Sequence, residues 1–260
     1  MIDDMKRYDF RIRGLRTTEG QIKAQDLLRA LDALIKVSQR ATSLLATGEG
    51  ACKGARPAWL NGALDFTVTG LTAGSTVIGV ESPRLAHLAG SPFAQDDLWL
   101  DSVRPEPDDT ALDLASQAIR EAQAQEASGD RFDGAVLDAI VGLGNAVRSD
   151  DVCYELSTTA AKSIGFVLDR PACQEIKARR RSIPRSQAFI VSGKLDQIAH
   201  GSRRFQIEVG DGAVLYGRWS AEAGDLEALR PLWGKPATVR GMVHFKANGQ
   251  PRLIEADRIA

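Results

Sequence analysis

The sequence predicts an α+β fold, with an N-terminal sheet-and-helix domain over residues 1–180 and a small five-strand β-barrel over 187–260. Three observations predict it. Strand-like alternation from Tyr8 to Leu15 runs into a long apolar stripe with helical spacing, Leu27 to Leu45. Five β-rich runs punctuated by turn residues crowd into the last third of the chain. Between the two patterns lies Pro171–Pro184, where Lys177, Arg179, Arg180 and Arg181 face only Glu175.

In the first strand Tyr8, Phe10 and Ile12 alternate with Asp9, Arg11 and Arg13, so one face is buried and the other wet. Leu27, Leu28, Leu31, Leu34, Ile35, Ala41, Leu44 and Leu45 line one side of a helix that Gly48 and Gly50 stop. Ala51–Pro57 has loop composition. Leu64, Phe66 and Val68 alternate as a second strand, and Gly70–Gly74 turns the chain into a third, Ser75–Glu81. A sheet with a helix across one face satisfies the layer rule for a domain.

The acidic, Pro-containing stretch Ser91–Asp109 reads as a surface connection. Asp109-Thr110 opens a helix carrying Leu112, Leu114, Ala115 and Ile119; Gly129-Asp130 ends it, and a second helical run centres on Val136, Leu137, Ile140 and Leu143. Val152–Leu156 and Ile164–Leu168 read as short strands that either extend the first sheet or pair with each other. Pro171–Pro184 is either a helix with a basic end or an interdomain linker.

Phe189–Ile198, Arg203–Val209 and Ala213–Trp219 read as three successive strands. A short helix, Asp225–Trp233, then carries Leu226, Leu229, Leu232 and Trp233, and two more strands, Ala237–Lys246 and Arg252–Ile259, flank the Asn248-Gly249 turn. This element order resembles the OB-fold, a resemblance that implies binding of nucleic acid, oligosaccharide or protein on the face of its second and third strands.

With 260 residues, 43% hydrophobic and 26% charged, and a net charge of -1, the composition is that of an ordinary globular protein and requires no strongly polyanionic partner. Cys52, Cys153 and Cys173 are too few and too scattered for a disulfide framework, which fits a reducing compartment. The charged N-terminus does not read as a signal peptide, and no apolar run is long enough to span a membrane; a cytoplasmic location without membrane association is expected.

No catalytic residues, cofactor or metal site is expected. His87, His200 and His244 stand apart with no ligand spacing, and the adjacent pairs Asp96-Asp97 and Asp108-Asp109 point apart along an extended chain. Gly193-Lys194 lacks the remainder of a phosphate loop, and Gly142-Leu-Gly144 does not follow a buried strand. The cysteines, with no adjacent histidine, read as inert core thiols.

Period two in the barrel places Phe205, Ile207, Val209, Leu215, Trp219, Val239, Val243 and Phe245 inside. It leaves Arg204, Gln206, Tyr216, Arg218, Arg240, Met242, His244 and Lys246 outside. Arg204, Tyr216, Arg218, Arg240, His244 and Lys246 form a candidate nucleic-acid patch, able to stack one base and neutralise phosphates of single-stranded DNA or RNA. The competing reading is a solvated exterior whose charges guard exposed strands. Arg179, Arg180 and Arg181 are either a phosphate-binding arm or the solvated C-terminal end of a helix.

Phe10-Arg-Ile-Arg-Gly14, Leu27–Leu45, Gly74-Ser75 and Gly234-Lys-Pro-Ala-Thr-Val-Arg-Gly241 together resemble a group of uncharacterised bacterial two-domain proteins. These join such an N-terminal domain to an OB-like barrel and are often encoded near toxin-antitoxin or phage-defence genes. The resemblance implies a non-catalytic, antitoxin-like subunit that binds another protein, such as a neighbouring-gene product, through the barrel and the helix over 24–46. The alternative is a single-stranded nucleic-acid-binding protein.

Overall fold

In the computed structural model Tyr8, Phe10 and Ile12 are buried, while Arg7 and Arg13 on the opposite face of the same strand are exposed. The structure describes residues 4–15, 21–51, 55–72, 76–94, 105–124, 128–149, 151–159, 164–199, 203–210, 212–219 and 229–260. They form two compact units, Met1–Ser182 and Ile183–Ala260. Among the described residues no helix is long and apolar enough to cross a membrane.

The first unit holds β1 (Met5–Arg13), α1 (Ala24–Thr47), α2 (Ala58–Ala63), β2 (Thr67–Thr72), β3 (Thr76–Pro83), α3 (Ala111–Gln123), α4 (Gly134–Gly144), β4 (Cys153–Thr158), β5 (Ile164–Leu168) and α5 (Arg170–Ser182). Its sheet has the order β2-β3-β1-β4-β5 and every pairing is antiparallel. Both alternatives for the short strands are therefore realised: β4 and β5 pair with each other, and β4 joins the first sheet beside β1.

Helix α1 ends as expected, with Gly48 left-handed and its N–H donating to the Leu44 carbonyl. Of its expected apolar stripe, Leu34, Ala41, Leu44 and Leu45 are buried, with Ala30 and Val37 beside them, on a helix that packs against α3 and α4; Leu27, Leu31 and Ile35 are half-buried and Leu28 is 67% exposed. Thr110 and Asp113 start α3 with a reciprocal capping box. The stretch 58–63 turns out helical, and the following strand begins at Thr67, so Leu64 caps α2 and does not sit in β2. The Gly74-Ser75 turn, Cys52 and the carboxylates of Asp96, Asp97 and Asp101 lie outside the described residues.

Polar side chains pin distant segments of this unit. Tyr8 donates to Asp113 Oδ2 at 2.6 Å, Lys6 pairs with the same oxygen at 3.0 Å, and burial followed by the Asp113 charge pushes the Tyr8 phenol far up. Glu121 accepts the backbone N–H groups of Gly129, Asp130 and Arg131 at 2.7, 3.0 and 3.1 Å, tying the end of α3 to the loop before α4. Asp133 caps α4 through Val136 N and also accepts Gly50 N, both at 2.8 Å.

The second unit holds β6 (Gln187–Ala199), β7 (Arg204–Val209), β8 (Ala213–Trp219), β9 (Pro236–Phe245) and β10 (Pro251–Ile259). The strands close into a barrel in the order β10-β8-β7-β6-β9, with β10 parallel to β8 and every other pair antiparallel. This is an OB-like barrel. Phe205, Ile207, Leu195, Val239 and Ile254 fill it, and Phe205 stacks on Trp219 with ring centroids 6.1 Å apart.

Three glycines let the strands approach. A Cβ at Gly193 would meet the Glu208 carbonyl of β7, one at Gly241 the Glu255 carbonyl of β10, and one at Gly217 the Phe205 ring. The expected helix over 225–233 lies largely outside the described residues; what is described is a 3-10 turn, Arg230–Leu232.

Candidate binding face

The barrel's outer surface is organised in cross-strand rows. One row runs Arg204 on β7, Arg218 on β8, Glu255 on β10, Met242 on β9 and Ala188 on β6. The next runs Gln206, Tyr216, Leu253 and His244. Arg204, Tyr216, Arg218 and His244 thus share one continuous surface, as period two requires. Gln206 and Leu253, also at outward register positions, are buried. Lys246 falls just past β9, in the turn where its N–H bonds the Gln250 carbonyl.

Carboxylates thread through this basic surface. Arg218 Nη2 donates to Glu255 Oε1 at 2.6 Å, and Glu255 Oε2 lies 3.5 Å from His244 Nε2. Two arginines directly opposite, Arg204 and Arg218, repel, and Glu255 offsets that repulsion on the adjacent strand. Arg240 grips Asp257 with Nε and Nη2, at 3.0 and 3.3 Å, a bond that raises the guanidinium above its ordinary value and keeps it charged. Around these two ion pairs lies a depression of about 680 Å³ also lined by Ala188, Gly241, Met242 and Ala256.

Apolar side chains border the same surface. Ile190 on β6 pairs with Arg240 and is 65% exposed, and Met242 is also exposed; Phe189, at the inward register position opposite Gly241, is exposed as well. Trp233, expected on the buried side of a helix, is 65% exposed, with its Nε1 donating to the Asp196 carbonyl. Trp233 directly follows the 3-10 turn, and the N–H of the next residue, Gly234, donates back to the Leu195 carbonyl of β6. Sequence reasoning missed Phe189, Ile190 and Trp233 as surface residues; high apolarity at a barrel end gives no local sign of exposure.

The three arginines of α5 belong to the first unit, and two hold its helices together. Arg179 Nη2 donates to the Ala124 carbonyl at 2.6 Å, and Arg180 Nε pairs with Asp138 at 2.9 Å. Arg181 is exposed in the last turn. The basic stretch is therefore a helix end, with its cations also serving as staples.

Ser186, His244 and Glu255, far apart in sequence, line up as hydroxyl, imidazole and carboxylate, with Ser186 Oγ 2.9 Å from Nδ1. The imidazole–carboxylate contact is loose at 3.5 Å, and Glu255 shares its charge with Arg218. Asp108 and Asp109 are drawn apart as well: Asp108 pairs with Arg84, while Asp109 is buried and accepts from Glu106 N and Gln117 Nε2. Burial pushes the Cys153 and Cys173 thiols up, away from thiolate chemistry. Comparison with protein-family models, curated proteins and solved structures finds no match for this chain.

Proposed function

We propose that this chain is a non-catalytic binding protein, an antitoxin-like subunit that takes a protein partner on the outer surface of its barrel. The observation that carries the reading is the pair of exposed apolar side chains Ile190 and Met242 on the outward rows of β6 and β9, beside the ion-paired Arg218 and Arg240. A closed barrel offers no open strand edge, so its recognition falls to outward side chains. Methionine and arginine side chains are among those enriched at protein interfaces. The carboxylates of Glu255 and Asp257, seated against the two arginines, weaken the pull on a phosphodiester backbone and favour a protein. The resemblance to bacterial proteins encoded near toxin-antitoxin or antiviral defence genes points to a neighbouring-gene product as that partner.

The test is co-expression of the tagged chain with the products of its neighbouring genes. A stoichiometric complex that forms with the unaltered chain and is lost in Ile190→Asp and Met242→Asp is expected. Absence of any complex would remove the reading.

A second reading, single-stranded DNA or RNA, is favoured by Arg204, Tyr216 and Arg218 lying side by side on β7 and β8, within a segment, 183–260, that holds eleven Lys and Arg against eight Asp and Glu. Its signature is affinity that falls steeply with salt and is lost in an Arg204→Ala, Tyr216→Ala, Arg240→Ala triple variant.

A further inference from the structure

The five-strand sheet of the first unit has two edges, and they are treated differently. On β5, Gln123 Nε2 donates to the Val167 carbonyl at 2.8 Å and α3 packs along the strand. On β2, Thr67 to Leu71 are exposed, and among the described residues no further strand pairs with its outer side. Edge strands are ordinarily guarded by lysine, proline, an inward charge, a β-bulge or a covering segment. The β2 sequence, Thr-Val-Thr-Gly-Leu-Thr, has no lysine, proline or charge, and its one such device is the register shift between Val68 and Gly70. Val68 and Leu71 stand opposite Val80 and Ile78, which are fully buried, yet are themselves 49% and 59% exposed. Among the described residues the apolar face of the sheet therefore runs out to its last strand, where Val68 and Leu71 remain exposed.

The geometry points to a second copy of this chain as what covers it, with the two β2 strands pairing antiparallel across a two-fold axis to make one continuous sheet of ten strands. Three features select this occupant. The strand carries no charge, so it calls for an uncharged strand of similar length, which an identical copy supplies. Antiparallel pairing sets exposed Asp65, just before β2, beside the uncharged end of its counterpart; parallel pairing would bring the two carboxylates together. The engaged β5 edge disfavours head-to-tail β2-to-β5 growth, so the pairing closes at two copies and does not run on into a fibre. Side chains of Val68 and Leu71 from both copies then shield each other from water.

The experiment is sedimentation velocity on the full chain from about 1 to about 100 µM, a range matched to modest affinities. It is run beside Leu71→Lys, Thr69→Lys and, as a control on the other edge, Val167→Lys. The species should shift from the 28.0 kDa monomer to twice that mass as concentration rises. Each β2 variant should move the midpoint at least about tenfold upward while circular dichroism stays unchanged, and Val167→Lys should leave it in place. Hydrogen exchange of the β2 amides should slow with concentration in the unaltered chain alone. A monomer at every concentration overturns the proposal, as does a dimer that both β2 variants leave intact. Because the partner reading rests on the barrel, loss of Ile190→Asp complexes with no change in self-association would separate the two.

Discussion

Each of the two units is organised by five β-strands, but they dispose of their strand edges in opposite ways. In Met1–Ser182 the sheet stays open, helices cover one face, and distant segments are held by individual polar contacts such as Glu121 to the 129–131 backbone and Tyr8 to Asp113. In Ile183–Ala260 each strand has two neighbours, and cohesion comes from a contiguous apolar core with side-chain-free positions where strands meet closely. An open sheet thus leaves a surface that another strand can extend, whereas a closed one leaves only side chains for recognition.

The sharpest way to break this contrast is to empty each core in turn. Phe205→Ala should cost about 4 kcal/mol and strip hydrogen-exchange protection from β6–β10, and Phe10→Ala should do comparable damage in β1–β5. If either change removed protection equally from both units, the division into two would fail.

A smaller effect separates the ways charge is used. Glu121→Ala leaves three backbone N–H groups without their acceptor and should lower stability by about 2 kcal/mol in denaturant titration. Glu255→Ala removes an ion pair on a partly exposed barrel face and should cost less than about 1 kcal/mol. Equal costs would mean that the barrel depends on polar pins as much as the open sheet does. Tyr8→Phe, which gives up the bonds to Thr110 and Asp113, should follow at about 1.5 kcal/mol.

The smallest effect is a pH dependence in the open-sheet unit. Burial holds the Asp109 carboxyl above the usual carboxylate range, against the opposing bond from Glu106 N and the Lys6 charge. A raised folded-state pKa means that the folded chain binds the proton more tightly. Its stabilisation is complete below the unfolded pKa and is lost as pH rises through the folded one. Asp109→Asn keeps an acceptor for Glu106 N, so its melting temperature relative to the unaltered chain should climb as pH goes from about 3 to about 7. A difference that stays flat with pH would show that the carboxylate ionises there without penalty.

Much of the fold was legible from local signals, and least so where distant segments decide the outcome. The barrel strands announced themselves because alternation such as Phe205, Ile207 against Arg204, Gln206 is bounded by Gly and Asn-Gly turns. Helix α2 escaped notice because six residues containing Gly62, with no side-chain cap, carry too little periodicity. The place of β4 in the sheet was open because its pairing with β1 spans most of the unit. For the candidate face, side-chain direction was readable, but the carboxylates that moderate it were not: Glu255 and Asp257 reach Arg218 and Arg240 from a strand whose register no local pattern encodes. Arg179 and Arg180 looked available for the same reason, since Ala124 and Asp138 lie on other helices.

Gly193, Gly217 and Gly241 recur at equal intervals along the chain, one on each of β6, β8 and β9, and each faces an atom that leaves no room for a methyl group. Drift elsewhere in the barrel wall can be absorbed by swapping one apolar side chain for another of similar volume, but at Gly193 and Gly241 even alanine collides with backbone, and at Gly217 with the Phe205 ring. They are consequently the positions at which a divergent descendant of this barrel would still betray its ancestry after its surface and most of its interior had been rewritten. A search keyed to that spaced glycine triplet, and not to overall similarity, is the way to find its kin.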